Sequence, residues 1–192
     1  MSRPKGDIRR DLLQLRDSLP AEIRKLKDER IRETVTCLPE FRSAQTVLLY
    51  ASFRTEADTF GIMHTCLSEG KTLLLPRVVR EDYSLRLYEI RDISEVEPGY
   101  MGIPEPLPSD ERLRDIGIAD LVIVPGVGFD RSCNRLGYGK GFYDRLLAVR
   151  AGKAVIGLAY AEQLLEALPS EPHDVRMDTI ITDEEIINCH GH

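Results

Sequence analysis

Five glycines fall within sixteen residues, at Gly126, Gly128, Gly137, Gly139 and Gly141, and charged and aromatic side chains are interleaved with the last three. Glycine lets backbone amides approach an anion closely and adopts positive φ where a turn needs it. The run Gly137-Tyr138-Gly139-Lys140-Gly141 leads into a stretch read as helical, so free N–H groups and the positive end of a helix dipole would face a phosphate. The spacing fits neither G-x-x-x-x-G-K-[ST], since Lys140 is followed by Gly141, nor G-x-G-x-x-G. On glycines alone, a tight turn competes with a phosphate cradle. The neighbours shift the balance: Arg135 and Lys140 are cations, Asp144 is a hard oxygen ligand suited to magnesium, and Tyr138, Phe142 and Tyr143 offer faces to a planar ring.

Three other groupings have types and spacing that could do chemistry. Lys5 and Arg9 are four residues apart, which places them on one face of a helix; by themselves they also read as solvated charges. Asp58-Thr59, within Glu56-Ala57-Asp58-Thr59, reads as a helix cap. The segment His173-Asp174-Val175-Arg176-Met177-Asp178 reads as a polar loop before a final strand. No Ser/His/Asp or Cys/His nucleophile is evident. The four cysteines, Cys37, Cys66, Cys133 and Cys189, include no C-x-x-C pair, and free thiols in a reducing cytoplasm are expected. The tail Cys189-His190-Gly191-His192 carries metal-binding atoms, but a chain terminus rarely holds a closed site.

The elements that must position these groups follow from hydrophobic patterning. Ile8, Leu12, Leu15 and Leu19 recur at helical spacing and predict an amphipathic helix over 5–18. Pro20 interrupts it, Ser18 is expected to cap a second helix with the stripe Ile23, Leu26, Ile31, Val35 and Leu38, and Pro39 ends that helix. The continuous apolar runs at 46–50, 72–76, 121–125 and 154–159 suit strands buried on both faces of a parallel sheet. Helices are expected at 58–69, 110–117 and 139–149, a half-exposed strand at 85–90, and a loop from 97 to 108. The alternation predicts an α/β fold: three α/β/α layers with a mostly parallel, Rossmann-like central sheet, preceded by two helices, in one domain over 1–192. Sites in such sheets lie beyond the carboxyl ends of the strands. Phe53 to Thr59, Pro125 to Asp144 and the region of Asp174 occupy such positions.

Composition narrows the function classes. The 192 residues carry 26 basic and 32 acidic side chains, a net charge of −6 that argues against a general nucleic-acid binder. No apolar run approaches the roughly 18–20 residues that span a bilayer, and the start MSRPKGDIRR lacks the apolar core of an export signal. Charge is uneven, however: residues 1–33 hold ten basic and seven acidic residues. Such a segment could meet a small anion, or could be two solvated amphipathic helices.

Phe129-Asp130-x-x-x-x-Arg135-Leu136-Gly137-x-Gly139-x-Gly141-Phe142-Tyr143-Asp144-Arg145 closely resembles the signature of the 5-formyltetrahydrofolate cyclo-ligases, also called 5,10-methenyltetrahydrofolate synthetases. The resemblance spans nearly the whole chain. It implies that Lys5 and Arg9 contact ATP phosphates from the first helix. ATP would further be held by Arg135, Leu136, Gly137, Tyr138, Gly139, Lys140, Gly141, Phe142 and Tyr143, with Lys140 and Arg135 in catalytic roles. The folate would meet Phe53, Asp58, Tyr138, Gly139, Lys140, Gly141 and Phe142, and magnesium would sit on Asp144 and Asp174. The implied activity is ATP-dependent cyclisation of 5-formyltetrahydrofolate by a cytoplasmic, monomeric enzyme whose partners are small molecules, with no nucleic acid and no membrane.

A non-catalytic relative that binds folate or nucleotide as sensor or carrier is the alternative. Loss of Lys140 or Asp144 would favour it, and both are present. An unrelated phosphosugar or nucleotide enzyme with a similar loop is disfavoured by the joint presence of Lys5, Arg9 and Asp174. One departure concerns Cys133, which stands where the family usually has Gly, two residues before Arg135. A positive φ there would strain a cysteine by roughly 1–2 kcal/mol.

Overall fold

The computed structural model describes residues 3–150, 152–171 and 174–189. The chain opens with α1 (Lys5–Ser18), α2 (Ala21–Cys37) and the short α3 (Pro39–Ser43), then enters β1 (Thr46–Leu48), α4 (Phe60–Ser68), β2 (Thr72–Val79) and β3 (Ser84–Ile90). Short strands β4 (Val96–Pro98), β5 (Pro104–Pro106) and β6 (Leu113–Arg114) lead to β7 (Leu121–Pro125), β8 (Gly128–Asp130) and β9 (Arg135–Leu136). The last part holds α5 (Phe142–Leu147), β10 (Ala154–Leu158), β11 (Leu164–Leu165), β12 (Thr179–Ile181) and β13 (Ile186–Asn188).

Eight strands form one sheet in the order β13-β12-β10-β7-β1-β2-β3-β6. The five strands β12, β10, β7, β1 and β2 are mutually parallel, and antiparallel strands flank them at both edges. The continuous apolar runs supply both faces by alternation. Val47, Leu49, Leu73, Leu75, Leu121, Ile123, Ile156 and Leu158 pack with Ile31, Val35, Phe41, Ile62 and Met63 from α2, α3 and α4. Leu48, Leu74, Val122, Val124 and Val155 point the other way, into a smaller core shared with Leu147 of α5 and Ile116. The expected three layers with a mostly parallel sheet are therefore present. From β1 the sheet grows one way through β2 and the other way through β7, β10 and β12. The carboxyl ends of β1 and β7 thus flank the point where strand order reverses, the usual place for a ligand.

Several local expectations differ. Residues 110–117 form no α-helix; single 3-10 turns at Asp110–Arg112 and Ile116–Ile118 bracket β6. The second turn closes on the Asp115 carboxylate, which accepts the Gly117 N–H at 2.7 Å, a local bond that competes with helix. The helix expected over 139–149 is cut to α5, because Gly139 and Gly141 take φ of 94° and 69°. The loop over 97–108 contains the paired ribbon β4–β5. Ser18 does not cap α2: its hydroxyl donates back to the Leu15 carbonyl, and Pro20 holds the cap position. Pro39 ends α2 and also starts α3 at its first turn. In α2, Ile23 and Leu26 are exposed, while Lys27 joins Ile31 and Val35 on the buried face.

Cys133 and Cys189 are joined in a disulfide, with Cα atoms 6.1 Å apart. This corrects the free-thiol expectation for those two; Cys37 and Cys66 are free. Cys189 is thereby committed to sulfur rather than metal, and 190–192 lie outside the described residues, as does His173. No helix among the described residues is long and apolar enough to cross a membrane.

Candidate active site

The glycine loop runs from β9 to α5 over the sheet's carboxyl end. Gly139 and Gly141 hold left-handed φ, which a side chain would resist. A Cβ on Gly137 would come within 2.9 Å of the Arg135 guanidinium. The first helix lies across this loop: Arg9 Nε donates to the Gly137 carbonyl at 2.8 Å. One turn earlier, Lys5 Nζ meets Asp174 Oδ2 at 2.7 Å and Glu171 Oε1 at 3.4 Å. The Lys5–Arg9 pair therefore joins two of the three segments singled out in the sequence. The ion pair and hydrogen bond with Asp174 raise the Lys5 ammonium's pKa despite the opposing effect of burial.

Arg135 lies beneath the loop, with its side chain only 4 % exposed. It donates to Asp144 Oδ1 at 2.8 Å and to the Pro125 carbonyl at 3.3 Å, and its guanidinium stacks 5.6 Å from the Tyr143 ring centre. Its Nε is buried without a hydrogen-bond partner among the described residues. Arg135 and Tyr143 thus form the loop's buried floor. Leu136 is buried with Ile8, Leu12 and Val127 under α1. Lys140, in contrast, is exposed, and among the described residues no ion pair engages its ammonium. Phe142 turns to the far side, its ring 6.2 Å from Tyr83 and 6.3 Å from Tyr100.

The third segment arrives from β1. Arg54 holds φ of 58°, a tight turn that brings the Glu56 carboxylate back onto the Phe53 N–H at 2.9 Å. The other Glu56 oxygen accepts the Tyr138 hydroxyl at 2.5 Å, and Arg16 Nη1 donates to that hydroxyl at 3.1 Å. Burial raises the Glu56 pKa, opposed by its bonds from Tyr138 and Phe53. Arg16 Nε also reaches Thr55 Oγ1, which in turn bonds Asp17. Asp58 accepts from the Ser52 hydroxyl at 3.1 Å and, more loosely, from Gly61 N–H at 3.4 Å, so its capping of α4 is weak. Thr59 occupies the cap position, yet its hydroxyl donates to the Tyr50 carbonyl.

Beside these residues opens a cleft of about 550 Å³, lined by Ser52, Arg54, Glu56, Asp58, Phe60 and Tyr160 on one side and by Arg24, Lys25, Asp28, Glu29 and Arg32 of α2 on the other. Asp28 accepts the Tyr160 hydroxyl at 2.8 Å and the Asp58 N–H at 3.0 Å, and burial raises its pKa. Phe53 and the glycine loop stand outside this lining, with Tyr138 bridging to it through Glu56.

Sequence reading missed Arg16, Glu56 in its own right, Asp28 and Tyr160. Two signals were present. Arg16 follows Ile8 and Leu12 at the same four-residue step, and all three are buried. Arg24, Asp28 and Arg32 form an equivalent polar row on α2.

Residues 1–183 match the model of the 5-formyltetrahydrofolate cyclo-ligase family. A 5-formyltetrahydrofolate cyclo-ligase of Mycolicibacterium smegmatis is 36% identical over 186 residues, with 94% of each chain covered. Another from Haemophilus influenzae is 32% identical, covering 91% of this chain and 95% of its own. Among solved structures, the 5,10-methenyltetrahydrofolate synthetase of Aquifex aeolicus superposes with a TM-score of 0.85 at 32% identity, covering 98% of this chain and 94% of that one. The Mycoplasma pneumoniae synthetase shares the fold at a TM-score of 0.77 and 24% identity, covering 94% of this chain and 99% of that one. The glycine loop, the helix laid across it and the carboxylate-lined cleft thus occur in a chain that belongs to the 5-formyltetrahydrofolate cyclo-ligase family.

Proposed function

We propose that the glycine loop and the adjoining cleft carry out the family's reaction, ATP-dependent closure of 5-formyltetrahydrofolate to 5,10-methenyltetrahydrofolate with release of ADP and phosphate. The activity is that of a carbon–nitrogen ligase with ATP as co-substrate. In the course we favour, the formyl oxygen attacks the γ-phosphorus and displaces ADP, giving a phosphorylated imidate. The amine at folate position 10 then attacks the activated carbon, gives up its proton to solvent, and the C–O bond to phosphate breaks. Such chemistry asks a protein for positioning and charge neutralisation more than for covalent help.

The observation that carries this reading is the convergence of α1 on both the glycine loop, through Arg9, and Asp174, through Lys5. We assign Lys140 to the transferring phosphoryl group because its ammonium is exposed beside the loop. Arg135 we assign to the floor, where it fixes Asp144 and the loop's starting direction. The folate is assigned to the cleft bearing Asp58 and Glu56, with Tyr138 between the two substrates.

Magnesium fits the donor chemistry of Asp144 and Asp174, two carboxylates with side chains 25 % and 15 % exposed. No group of three or more metal-binding side chains occurs among the described residues, so phosphate oxygens and water would have to complete the shell. When bound there, the ion would neutralise charge on the phosphates. The reading is completed by a monomer acting in the cytoplasm on small molecules, with neither nucleic acid nor membrane as partner; the net charge of −6 supports the exclusion of nucleic acid.

The test is absorbance of the methenyl product with purified protein, 5-formyltetrahydrofolate, ATP and magnesium. ATP-dependent turnover is expected. Folate binding without turnover would replace this reading by that of a sensor or carrier.

A further inference from the structure

We propose that Cys133 and Cys189 form a reversible thiol-modification site, whose cross-link sets how firmly the nucleotide side of the active site is held. Cys133 lies in the turn between β8 and β9 with φ of 64°, in the left-handed region that a side chain resists. It is buried, and its sulfur is joined to that of Cys189, 56 residues later, with a Cα separation inside the range a disulfide spans. The turn is closed by Asp130, whose carboxylate accepts the Ser132 and Asn134 N–H groups at 2.9 Å and whose carbonyl accepts that of Cys133, so the Cys133 sulfur is presented to Cys189 from a fixed backbone.

The cross-link lies where it can act on the site. Arg135, the loop's buried floor, is two residues beyond Cys133. From the other direction, the Met177 N–H donates to the Cys133 carbonyl at 2.9 Å, three residues after Asp174. The chain then runs through β12 and β13 to Cys189, whose N–H donates to the Asp178 carbonyl. The final hairpin is therefore attached to the β8–β9 turn twice, by the Met177 hydrogen bond and by the sulfur bridge. Reduction removes the covalent one of these two links to the β8–β9 turn, while the pairing of β12 with β10 and the Lys5–Asp174 contact remain, so the segment carrying Asp174 is held less firmly without being released.

In the cytoplasm proposed above, thiols are mostly kept reduced, so a disulfide there is a state entered and left. Cys189, half-buried, is the more accessible sulfur. Its thiolate attacks a low-molecular-weight disulfide, forming a mixed disulfide and releasing one small thiolate. The Cys133 thiolate then attacks the Cys189 sulfur and expels the second. Two protein thiols are oxidised, one small disulfide is reduced to two thiols, and the protons lost by the cysteines are taken up by those products.

This inference rests on the nucleotide assignment of residues 135–144 and 174, and the test separates the two. The full-length protein is equilibrated with reduced or oxidised glutathione, unfolded without reductant, alkylated and weighed. After oxidation two of the four cysteines should alkylate, with a peptide linking 133 to 189; after reduction all four should. The oxidised form should show a several-fold lower KM for ATP, with little change in KM for the folate. Cys189→Ser should behave as the reduced protein under both conditions. Four reactive thiols after oxidation, an unchanged ATP KM, or an oxidant response surviving in Cys189→Ser would each overturn the proposal. Because mass reads the bond independently of turnover, a linked protein inactive in both states would instead count against the nucleotide assignment.

Discussion

The two N-terminal helices carry similar mixtures of charge and use them in opposite ways. On α1, Lys5, Arg9 and Arg16 are each engaged: with Asp174, the Gly137 carbonyl and the Tyr138 hydroxyl, respectively. On α2, Lys25 and Arg32 stand exposed along an open cleft, and Lys27 is buried against Asp183 and Glu162 at 2.7 and 3.0 Å. A cation already bonded to the far side of a site positions that site. A cation facing open space is available to a ligand. The helix patterns look alike in sequence because the distinction lies in what each charge meets.

The glycine-loop side gives the largest expected effects. Lys140→Ala should lower kcat by roughly 10²–10³, the scale for removing one donor to developing charge, with an unchanged Tm because the side chain is exposed. Steady-state rates and thermal unfolding would check this together. A near-normal rate would show that the loop's one exposed cation is dispensable. Asp144→Ala should lower turnover to a similar degree and, unlike Lys140→Ala, cost about 3 kcal/mol of stability, since it strands the buried Arg135 guanidinium. Urea unfolding would read that loss. Equal stability of the two variants would break the contrast between floor and working face.

Sequence made the sheet legible because β1, β2, β7 and β10 are buried on both faces, and burial on both faces leaves an uninterrupted apolar run. The glycine loop was legible for a different reason: Gly139 and Gly141 answer a local backbone requirement. What stayed hidden depends on distant partners. Lys27 interrupts the stripe of α2 because Asp183, 156 residues away, arrives to meet it. Arg16 is buried because Tyr138 lies 122 residues further on, and Cys133 is paired across 56 residues. Local periodicity carries no record of such meetings. The 110–117 segment failed for the opposite reason, its Asp115–Gly117 bond being too local for an apolar pattern to reveal.

Glu56 sits where the two regions touch, and its titration gives a smaller, signed effect. Its folded pKa is raised, chiefly by burial, so the folded state holds the proton more tightly than the unfolded state does. Charging Glu56 therefore opposes folding. That penalty is absent below the ordinary carboxylate range, grows as pH rises from there toward the folded pKa, and is constant above it. Glu56→Gln keeps an acceptor for the Tyr138 hydroxyl but turns its amide nitrogen on the Phe53 N–H, a cost that does not vary with pH; relative to the unaltered protein its Tm should therefore improve as pH rises from the ordinary carboxylate range, while turnover falls. A Tm difference independent of pH would remove burial of charge as a contributor.

The smallest effects are expected from the open side, and they test the helix contrast most directly. Lys25 and Arg32 are exposed at the cleft's edge, where an interaction with an anionic substrate is weakened by water and by salt. Lys25→Ala and Arg32→Ala should each raise the KM for 5-formyltetrahydrofolate about twofold at low ionic strength, and the difference should fade as salt is added. The ATP KM and Tm should stay put, because neither side chain reaches the glycine loop or an ion-pair partner in the core. Arg9→Ala supplies the counterpart: its guanidinium is bonded to the Gly137 carbonyl at 2.8 Å, so its loss should raise the ATP KM and persist at high salt. If salt erased both effects equally, the division between cations that position and cations that receive would fail.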